Sequence, residues 1–132
     1  MSTHSIKILI ADDEEVVLEI MAKKIASQDY EVITARDGQE AWSKIVSELP
    51  DVILLDLNMP KMDGWAVLSQ LRQNPPTKRW QPVIIISAQN ELESFKKGMD
   101  LEADHYLTKP CPIESILKAI RLMLSLVPQH NP

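Results

Sequence analysis

The sequence has a single cysteine, no excess of basic residues and no long apolar run. Cys111 alone cannot form an internal disulfide or a cysteine-cluster metal site, and it suits a reducing compartment. The formal net charge of −5 disfavours general binding to nucleic acid or to a membrane surface, because both select basic patches. No apolar run reaches membrane-spanning length, and acids follow the N-terminus too soon for a signal peptide. We therefore expect a soluble cytoplasmic protein that binds neither nucleic acid nor membranes directly.

Five short apolar runs, rich in β-branched residues, alternate with segments of helical period. The first, third and fourth runs lack polar alternation, which is typical of strands buried on both faces of a parallel sheet. The predicted strands are Ile6–Ile10, Glu31–Ala35, Val52–Asp56, Val83–Ser87 and His105–Thr108.

Between and after these strands, apolar residues recur at helical spacing. A short, polar fourth helix is predicted over 91–98, and Pro112 suits the first turn of the last helix. The apolar stripes are Val17, Ile20, Met21 and Ile25 in the first helix, Ala41, Ile45 and Leu49 in the second, Trp65, Leu68 and Leu71 in the third, and Ile113, Ile116, Leu117, Ile120 and Leu124 in the last.

Five successive strand–helix units predict an α/β fold. Parallel strands need right-handed helical crossovers, so the expected architecture is a doubly wound, flavodoxin-like three-layer sandwich with strand order 2-1-3-4-5. A fragment of an eight-unit barrel is the alternative, but eight units do not fit in 132 residues. We expect one domain over residues 5–126, with 127–132 as a tail or the start of a linker.

Chemically distinctive residues lie where the predicted strands end. Asp12 and Asp13 follow the first strand, Asp56 ends the third, Ser87 ends the fourth and Lys109 follows the fifth. The carboxyl ends of parallel strands share one edge of the sheet, where ligands bind. Two carboxylates about 4 Å apart, at an effective dielectric near 20, repel by on the order of 4 kcal/mol. The acids therefore predict a bound cation, a shared proton or strain that serves function.

An oxygen-only site with two or three acids suits Mg²⁺, which keeps several waters and pairs with phosphate. Lys109 can hold a phosphoryl oxygen as a point charge, and Ser87 can donate a hydrogen bond to another. A carboxylate beside Mg²⁺ and lysine is also a credible nucleophile toward phosphorus. These features predict that Asp56 is a phosphoacceptor that forms an aspartyl-phosphate.

Four segments, "ADDEE", "ILLDLNMPKMDGW", "VIIISA" and "DHYLTKP", in this order and spacing, resemble the receiver domain of two-component response regulators. Each segment alone is a weak signal, but four of them at strand ends are highly specific, and the resemblance covers about residues 5–126. Two positions depart from the family pattern. Cys111 follows Lys109-Pro110 where the family usually has Phe, and Glu102 stands where it usually has Gly.

The resemblance implies that Asp56 receives a phosphoryl group from a histidine kinase or a histidine phosphotransfer protein. It implies a cis Lys109-Pro110 bond and a phosphoryl-driven shift of Ser87 that lets the Tyr106 ring turn inward. The other implied roles are Mg²⁺ binding by Asp12, Asp13, Asp56 and the Asn58 carbonyl, phosphate binding by Lys109, Ser87 and the Ala88 N–H, switching by Ser87 and Tyr106, and tuning of dephosphorylation by Asn58 and Gln89.

The implied function is a signalling switch that catalyses only its own phosphoryl transfer and autodephosphorylation. Phosphorylation is expected to change the face built by the fourth predicted helix, the fifth strand and the last helix, and so to signal to an output domain or protein partner. Leu122 and Leu126 lie off the core stripe of the last helix. They form either a patch for a partner or phosphorylation-dependent homodimer, or ordinary surface.

Other functions fit these residues less well. A Mg²⁺-dependent hydrolase that uses an aspartyl-phosphate usually has a second acid two residues after the nucleophile, where this chain has Asn58. A flavin- or nucleotide-binding module needs a Gly- or Ser/Thr-rich phosphate loop after the first strand, but that segment is acidic. A degenerate receiver used as a scaffold is disfavoured by the intact acid–lysine set. Asp13 and Asp63 are each also candidates for capping a helix.

Overall fold

A computed structural model describes residues 5–88 and 102–127. Its parallel sheet has the predicted order β2-β1-β3-β4-β5. The fourth predicted helix, over 91–98, lies outside the described residues. The strands are β1 Lys7–Ala11, β2 Glu31–Ala35, β3 Val52–Asp56, β4 Val83–Ala88 and β5 His105–Lys109, and the helices are α1 Glu15–Ala26, α2 Gly38–Glu48, α3 Gly64–Gln73 and α4 Ile113–Leu126.

The predicted strands are confirmed with small changes of boundary. β2 and β3 have the predicted bounds, β1 begins and ends one residue later, and β4 and β5 each extend one residue further. The extensions carry Ala88 and Lys109, which are partners in the parallel register between β4 and β5. Two residues with predicted roles therefore belong to the sheet itself, which fixes their backbones.

Alternate residues of the central strands supply two separate cores, one on each face of the sheet. In β1, Ile8 and Ile10 pack into the core beneath α1 and α4, whereas Leu9 and Ala11 pack into the core beneath α2 and α3. All four side chains are buried. This burial on both faces explains the unbroken apolar runs of the central strands.

The predicted stripe of α1 is wrong at one position. Ile20 is 56% exposed, whereas Leu18, which the stripe omits, is buried together with Met21 and Ile25. The spacing of Leu18, Met21 and Ile25 follows one face of a helix, and this face meets the sheet. Ile20 lies outside that face, about 100° around the helix from Met21, in an open groove beside Ile113 and Ile116 of α4.

Helices α2 and α3 begin with an aspartate at the N-cap, and each aspartate side chain makes a capping hydrogen bond. The Asp37 carboxylate accepts a 2.7 Å hydrogen bond from the Glu40 N–H at the start of α2, and Asp63 accepts one of 2.9 Å from the Ala66 N–H at the start of α3. The expected cap by Asp63 is thus confirmed. Glu14, not Asp13, occupies the N-cap of α1 and makes no capping bond with its side chain. Pro112 is likewise the N-cap of α4, one residue before its first turn.

An ion pair ties α3 to the start of β5. Arg72 Nη2 lies 2.8 Å from Asp104 Oδ2, and the guanidinium stacks 3.7 Å from the centroid of the Trp80 ring. The Asp104 carboxylate also accepts hydrogen bonds from Trp80 Nε1, at 2.7 Å, and from the Val83 N–H, at 2.8 Å. Charge-assisted bonds of this kind are stronger than neutral ones, so the amino end of β5 is firmly anchored.

Glu102, one of the two departures from the family pattern, has a backbone conformation that favours glycine. Its φ is 64°, in the left-handed region, and its carbonyl accepts a 3.0 Å hydrogen bond from Arg72 Nε. The left-handed region crowds a Cβ atom, at a cost of roughly 1–2 kcal/mol. This crowding explains why the family usually has glycine here, and the Cβ atom of Glu102 destabilises the fold relative to glycine.

We predict that Glu102→Gly is more stable than Glu102→Ala by about 1 kcal/mol, because only glycine removes the Cβ atom. Both variants lose the carboxylate and both keep the carbonyl that Arg72 contacts, so Glu102→Ala is the matched control. Urea titration gives the two free energies of unfolding. Equal free energies would show that the backbone at position 102 is unstrained.

Candidate functional site

Three carboxylates meet at the carboxyl edge of the sheet. Each of Asp12, Asp13 and Asp56 offers one oxygen within 4.8 Å of the others. Asp12 and Asp56 are almost fully buried, at 2% and 5% exposure, whereas Asp13 is exposed. We call these three acids, together with Lys109, the acidic pocket. The structure therefore brings together the acids that the sequence placed at two strand ends.

Local backbone contacts hold the two buried acids in place. Asp12 Oδ1 accepts a 2.9 Å hydrogen bond from the Glu14 N–H, and Asp56 Oδ1 accepts one of 3.3 Å from the Asn58 N–H. Behind Asp56, a Cβ atom on Gly64 would lie 2.5 Å from the Asp56 carbonyl oxygen. Only glycine permits α3 to begin this close to the end of β3.

Lys109 reaches into the pocket from β5. Its Nζ lies 3.2 Å from Asp56 Oδ2 and 3.4 Å from Asp12 Oδ2, with Glu14 Oε1 further away at 3.9 Å. The Lys109-Pro110 bond is cis, as the resemblance implied. One ammonium group therefore faces three clustered carboxylates, and the pocket keeps an excess of negative charge.

Burial and neighbouring charges both shift the pKa values of the pocket's groups. Burial raises the pKa of Asp56 above its ordinary 3.8, and the charge of Asp12 raises it further, against the lowering effect of Lys109. Burial lowers the pKa of Lys109, but the charges of Asp56 and Asp12 more than offset this and raise it above 10.5. Lys109 thus stays charged at neutral pH, and positive charge near Asp56 lowers its pKa against the effect of burial.

The hydroxyl pair of the site lies beside this pocket. Ser87, at the end of β4, is fully buried, and its Oγ is hydrogen-bonded to the hydroxyl of half-buried Tyr106 on β5. The resemblance implies that Tyr106 turns inward only after Ser87 moves, but here the two hydroxyls are already in contact. Gln89, the other predicted position after β4, lies outside the described residues.

A cavity of about 370 Å³ opens above the buried acids. Its lining includes Asn58 and Ala88, both singled out in the sequence. It also includes Glu14, which is not among the predicted site residues. The signal for Glu14 was present in the "ADDEE" run, because a residue two positions after Asp12 can donate its N–H to the Asp12 carboxylate.

Comparison with known proteins identifies the family. The family model for the response regulator receiver domain matches residues 8–121. The chain belongs to this family. The receiver domain is 38% identical over 118 residues to the alkaline phosphatase synthesis transcriptional regulatory protein PhoP of Bacillus subtilis, covering 89% of this chain and 48% of that protein. It is also 38% identical to the response regulator ArlR of Staphylococcus saprophyticus, over 95% of this chain and 55% of that protein.

Solved structures give the same result. The receiver domain of the Francisella response regulator 1452 is 31% identical, with a TM-score of 0.83 over 92% of this chain and 98% of that one. A CheY-like receiver domain protein from Methanospirillum hungatei is 26% identical, with a TM-score of 0.85 over 92% and 95% of the two chains. The chain spans about half the length of the curated relatives it matches. Within the described residues, no helix is long and apolar enough to cross a membrane.

We predict that Asp13→Asn stabilises the receiver domain in EDTA by roughly 1 kcal/mol, because it removes one of three mutually repelling charges. Glu19→Gln, which removes an exposed acid outside the pocket, is the matched control and should change stability little. In Mg²⁺ wild type should become more stable than Asp13→Asn. Bound Mg²⁺ adds about 1.4 kcal/mol to the stability of wild type when the metal is at ten times its dissociation constant. Thermal melts with EDTA and with Mg²⁺ measure both effects. A destabilised Asp13→Asn protein in EDTA would contradict the repulsion.

Proposed function

We propose that this receiver domain is a phosphorylation-driven switch. Asp56 accepts a phosphoryl group from a histidine kinase or a histidine phosphotransfer protein. The observation that carries the proposal is the contact of Lys109 Nζ with both Asp56 and Asp12, at 3.2 and 3.4 Å, within a cluster of three acids. A structural ion pair needs one acid, whereas three acids and one lysine form a site that further positive charge and a phosphoryl group would complete.

The acids fit a hard divalent cation. Their oxygens lie within 4.8 Å of one another, and carboxylates are ligands that Mg²⁺ prefers. Asp13, Asp56 and the backbone carbonyl of Asn58 would hold Mg²⁺, with Asp12 acting partly through water. When bound, Mg²⁺ supplies positive charge that offsets the acids and the incoming phosphoryl oxygens. The metal would also favour the ionised form of Asp56, which is the nucleophilic form.

The residues of the site have separate roles in phosphoryl transfer. An Asp56 carboxylate oxygen attacks phosphorus, and the bond between phosphorus and the donor's histidine nitrogen breaks. Lys109 exchanges its contact with Asp56 for one with a phosphoryl oxygen, which it holds as a point charge. The Ser87 hydroxyl and the Ala88 N–H donate to the other oxygens. Asn58 and Gln89 tune the rate of dephosphorylation.

The hydroxyl pair would carry the signal away from Asp56. Each hydroxyl has one proton to donate. If Ser87 donates its proton to the phosphoryl group, Tyr106 must donate its own to Ser87 for their bond to persist. The result is a directed chain from Tyr106 to Ser87 to the phosphoryl oxygen, and chains of this kind strengthen each bond. Phosphorylation would thus favour the inward Tyr106 ring and shift the population of states of the β5 face.

The signal from phosphorylated Asp56 would reach a partner or output domain through the face that includes β5, α4 and the 91–98 segment. Leu122 and Leu126 on α4 are 46% and 66% exposed, which supports a small apolar patch for a partner or for a phosphorylation-dependent homodimer. The relative named PhoP is a transcriptional regulatory protein. By analogy we propose a link to an output domain or a separate protein in the cytoplasm, with no direct contact between this domain and nucleic acid. The domain would occupy residues 5–126.

We predict that Mg²⁺ and acetyl phosphate add one hydroxylamine-sensitive phosphoryl group to wild type and none to Asp56→Asn. Asp63→Asn is the matched control, because asparagine also caps helices well and the variant should accept phosphate normally. Intact-mass spectrometry before and after hydroxylamine measures the adduct. An adduct on Asp56→Asn, or none on wild type, rejects the proposal.

We predict that Tyr106→Phe accepts phosphate at a rate within about twofold of wild type but loses most of the response at β5 and α4. The variant keeps the ring and removes only the hydroxyl that bonds to Ser87. Beryllofluoride, a mimic of the phosphoryl group, provides the measurement through NMR shift changes at these elements. Tyr30→Phe, which changes the chain's other tyrosine, should respond fully. Equal shifts in all three proteins would exclude Tyr106 as the relay.

A further inference from the structure

An apolar groove of about 540 Å³ lies between α1 and the start of α4. This volume is within the range of pockets that bind small molecules. Its floor is buried, since Met21 is 9% and Ile116 3% exposed, whereas its rim is open at Ile20. The apolar groove is formed mainly by Val17, Ile20, Met21, Cys111, Ile113 and Ile116.

The apolar groove and the cavity above Asp56 are neighbours. Both are lined by Glu14, Ala88 and Lys109. Lys109 Nζ, at their shared wall, lies 3.2 Å from Asp56 Oδ2. Asp12 and Glu14 line the same end of the groove, so Lys109 together with the Mg²⁺ of the proposed function would balance an anionic group there. A molecule with an apolar chain in the groove would then carry its anionic head to the ammonium group beside the nucleophile.

Cys111 gives this groove a character of its own. It occupies the position where the family usually has Phe, and it is smaller than the residue it replaces. Burial raises the pKa of the Cys111 thiol, so the thiol is uncharged at neutral pH and behaves as a small apolar group. The groove wall beside Pro110 is therefore apolar, and its side chain at position 111 is smaller than phenylalanine.

We propose that the apolar groove binds the chain of medium-length acyl phosphates and presents their phosphoryl group to Asp56. The inference rests on the proposed function, because it uses the same nucleophile. Lys109, with Mg²⁺ bound as proposed, and the apolar length of the groove match an acyl phosphate, which has a dianionic head on an apolar tail. In the transfer, an Asp56 oxygen forms a bond to phosphorus while the bond from phosphorus to the acyl oxygen breaks. The fatty carboxylate leaves with that electron pair, and no proton is transferred.

The groove should make the transfer selective for chain length. Burying one methylene group improves binding by about fourfold. Hexanoyl phosphate has four more methylenes than acetyl phosphate, and both release an alkyl carboxylate as the leaving group. Even with partial burial, kcat/KM for phosphorylation of Asp56 should be at least about tenfold higher with hexanoyl phosphate. Intact-mass spectrometry in Mg²⁺ follows both reactions.

Variants test whether the selectivity arises in the groove. Cys111→Phe fills the groove, so the hexanoyl-to-acetyl ratio should fall below about threefold while the reaction with acetyl phosphate persists. Val46→Phe places the same ring at an exposed position on α2 and should leave the ratio unchanged. Ile20→Glu, at the exposed rim, should also lower the ratio, and its exposure makes it safe for folding if Cys111→Phe is unstable.

Occupancy can be measured without any transfer. Cys111 is the chain's single cysteine, so the rate of its alkylation reports on the groove alone. The non-transferable analogue 2-oxoheptylphosphonate should slow alkylation at least threefold more than 2-oxopropylphosphonate at equal concentration. Equal kcat/KM values for the two acyl phosphates, or a ratio that Cys111→Phe does not change, would overturn the inference. If acetyl phosphate labels no protein at all, the proposed function fails instead, and the inference fails with it.

Discussion

The mutual repulsion of three carboxylates at one edge of the sheet is the constraint on which the rest of the site depends. Asp12 and Asp56 are buried with a single ammonium group between them, and Asp13 adds a third charge at the surface. Asp12 and Asp13 directly follow β1, and Asp56 is the last residue of β3. Buried β1 and β3, the N–H contacts from Glu14 and Asn58, and the close start of α3 at Gly64 all serve to fix the three carboxylates. The fold is thus a rigid frame for an unfavourable arrangement of charge.

Much of this frame could be predicted from the sequence. Unbroken apolar runs identify the buried strands, and topology then requires their carboxyl ends to meet at one edge. What pattern cannot determine is which side of a helix meets the sheet when apolar residues surround it. In α1 this ambiguity misplaced Ile20 and omitted Leu18. A period reports the spacing of residues, whereas burial depends on the partner that each residue meets.

The side-chain contacts of the site also exceed what sequence determines. The positions of Ser87 and Tyr106 follow from the strands, but their hydrogen bond depends on a rotamer chosen by the surrounding core. The left-handed backbone of Glu102 is hidden for a related reason, because a glutamate gives no sign that its position favours glycine. The family pattern shows that Glu102 replaces a usual glycine, and the left-handed φ of Glu102 explains why glycine is usual there.

The anchoring of Asp104 has a consequence for how β5 can move. Its carboxylate holds Arg72, Trp80 and the Val83 N–H at the amino end of the strand. Tyr106 and Lys109 lie further along the same strand, toward the acidic pocket. Pairing with β4 holds the rest of the strand, from His105 to Lys109. With its amino end anchored and one edge paired, β5 resists movement as a body, so any change at Lys109 would pass along the strand through side chains rather than through its backbone.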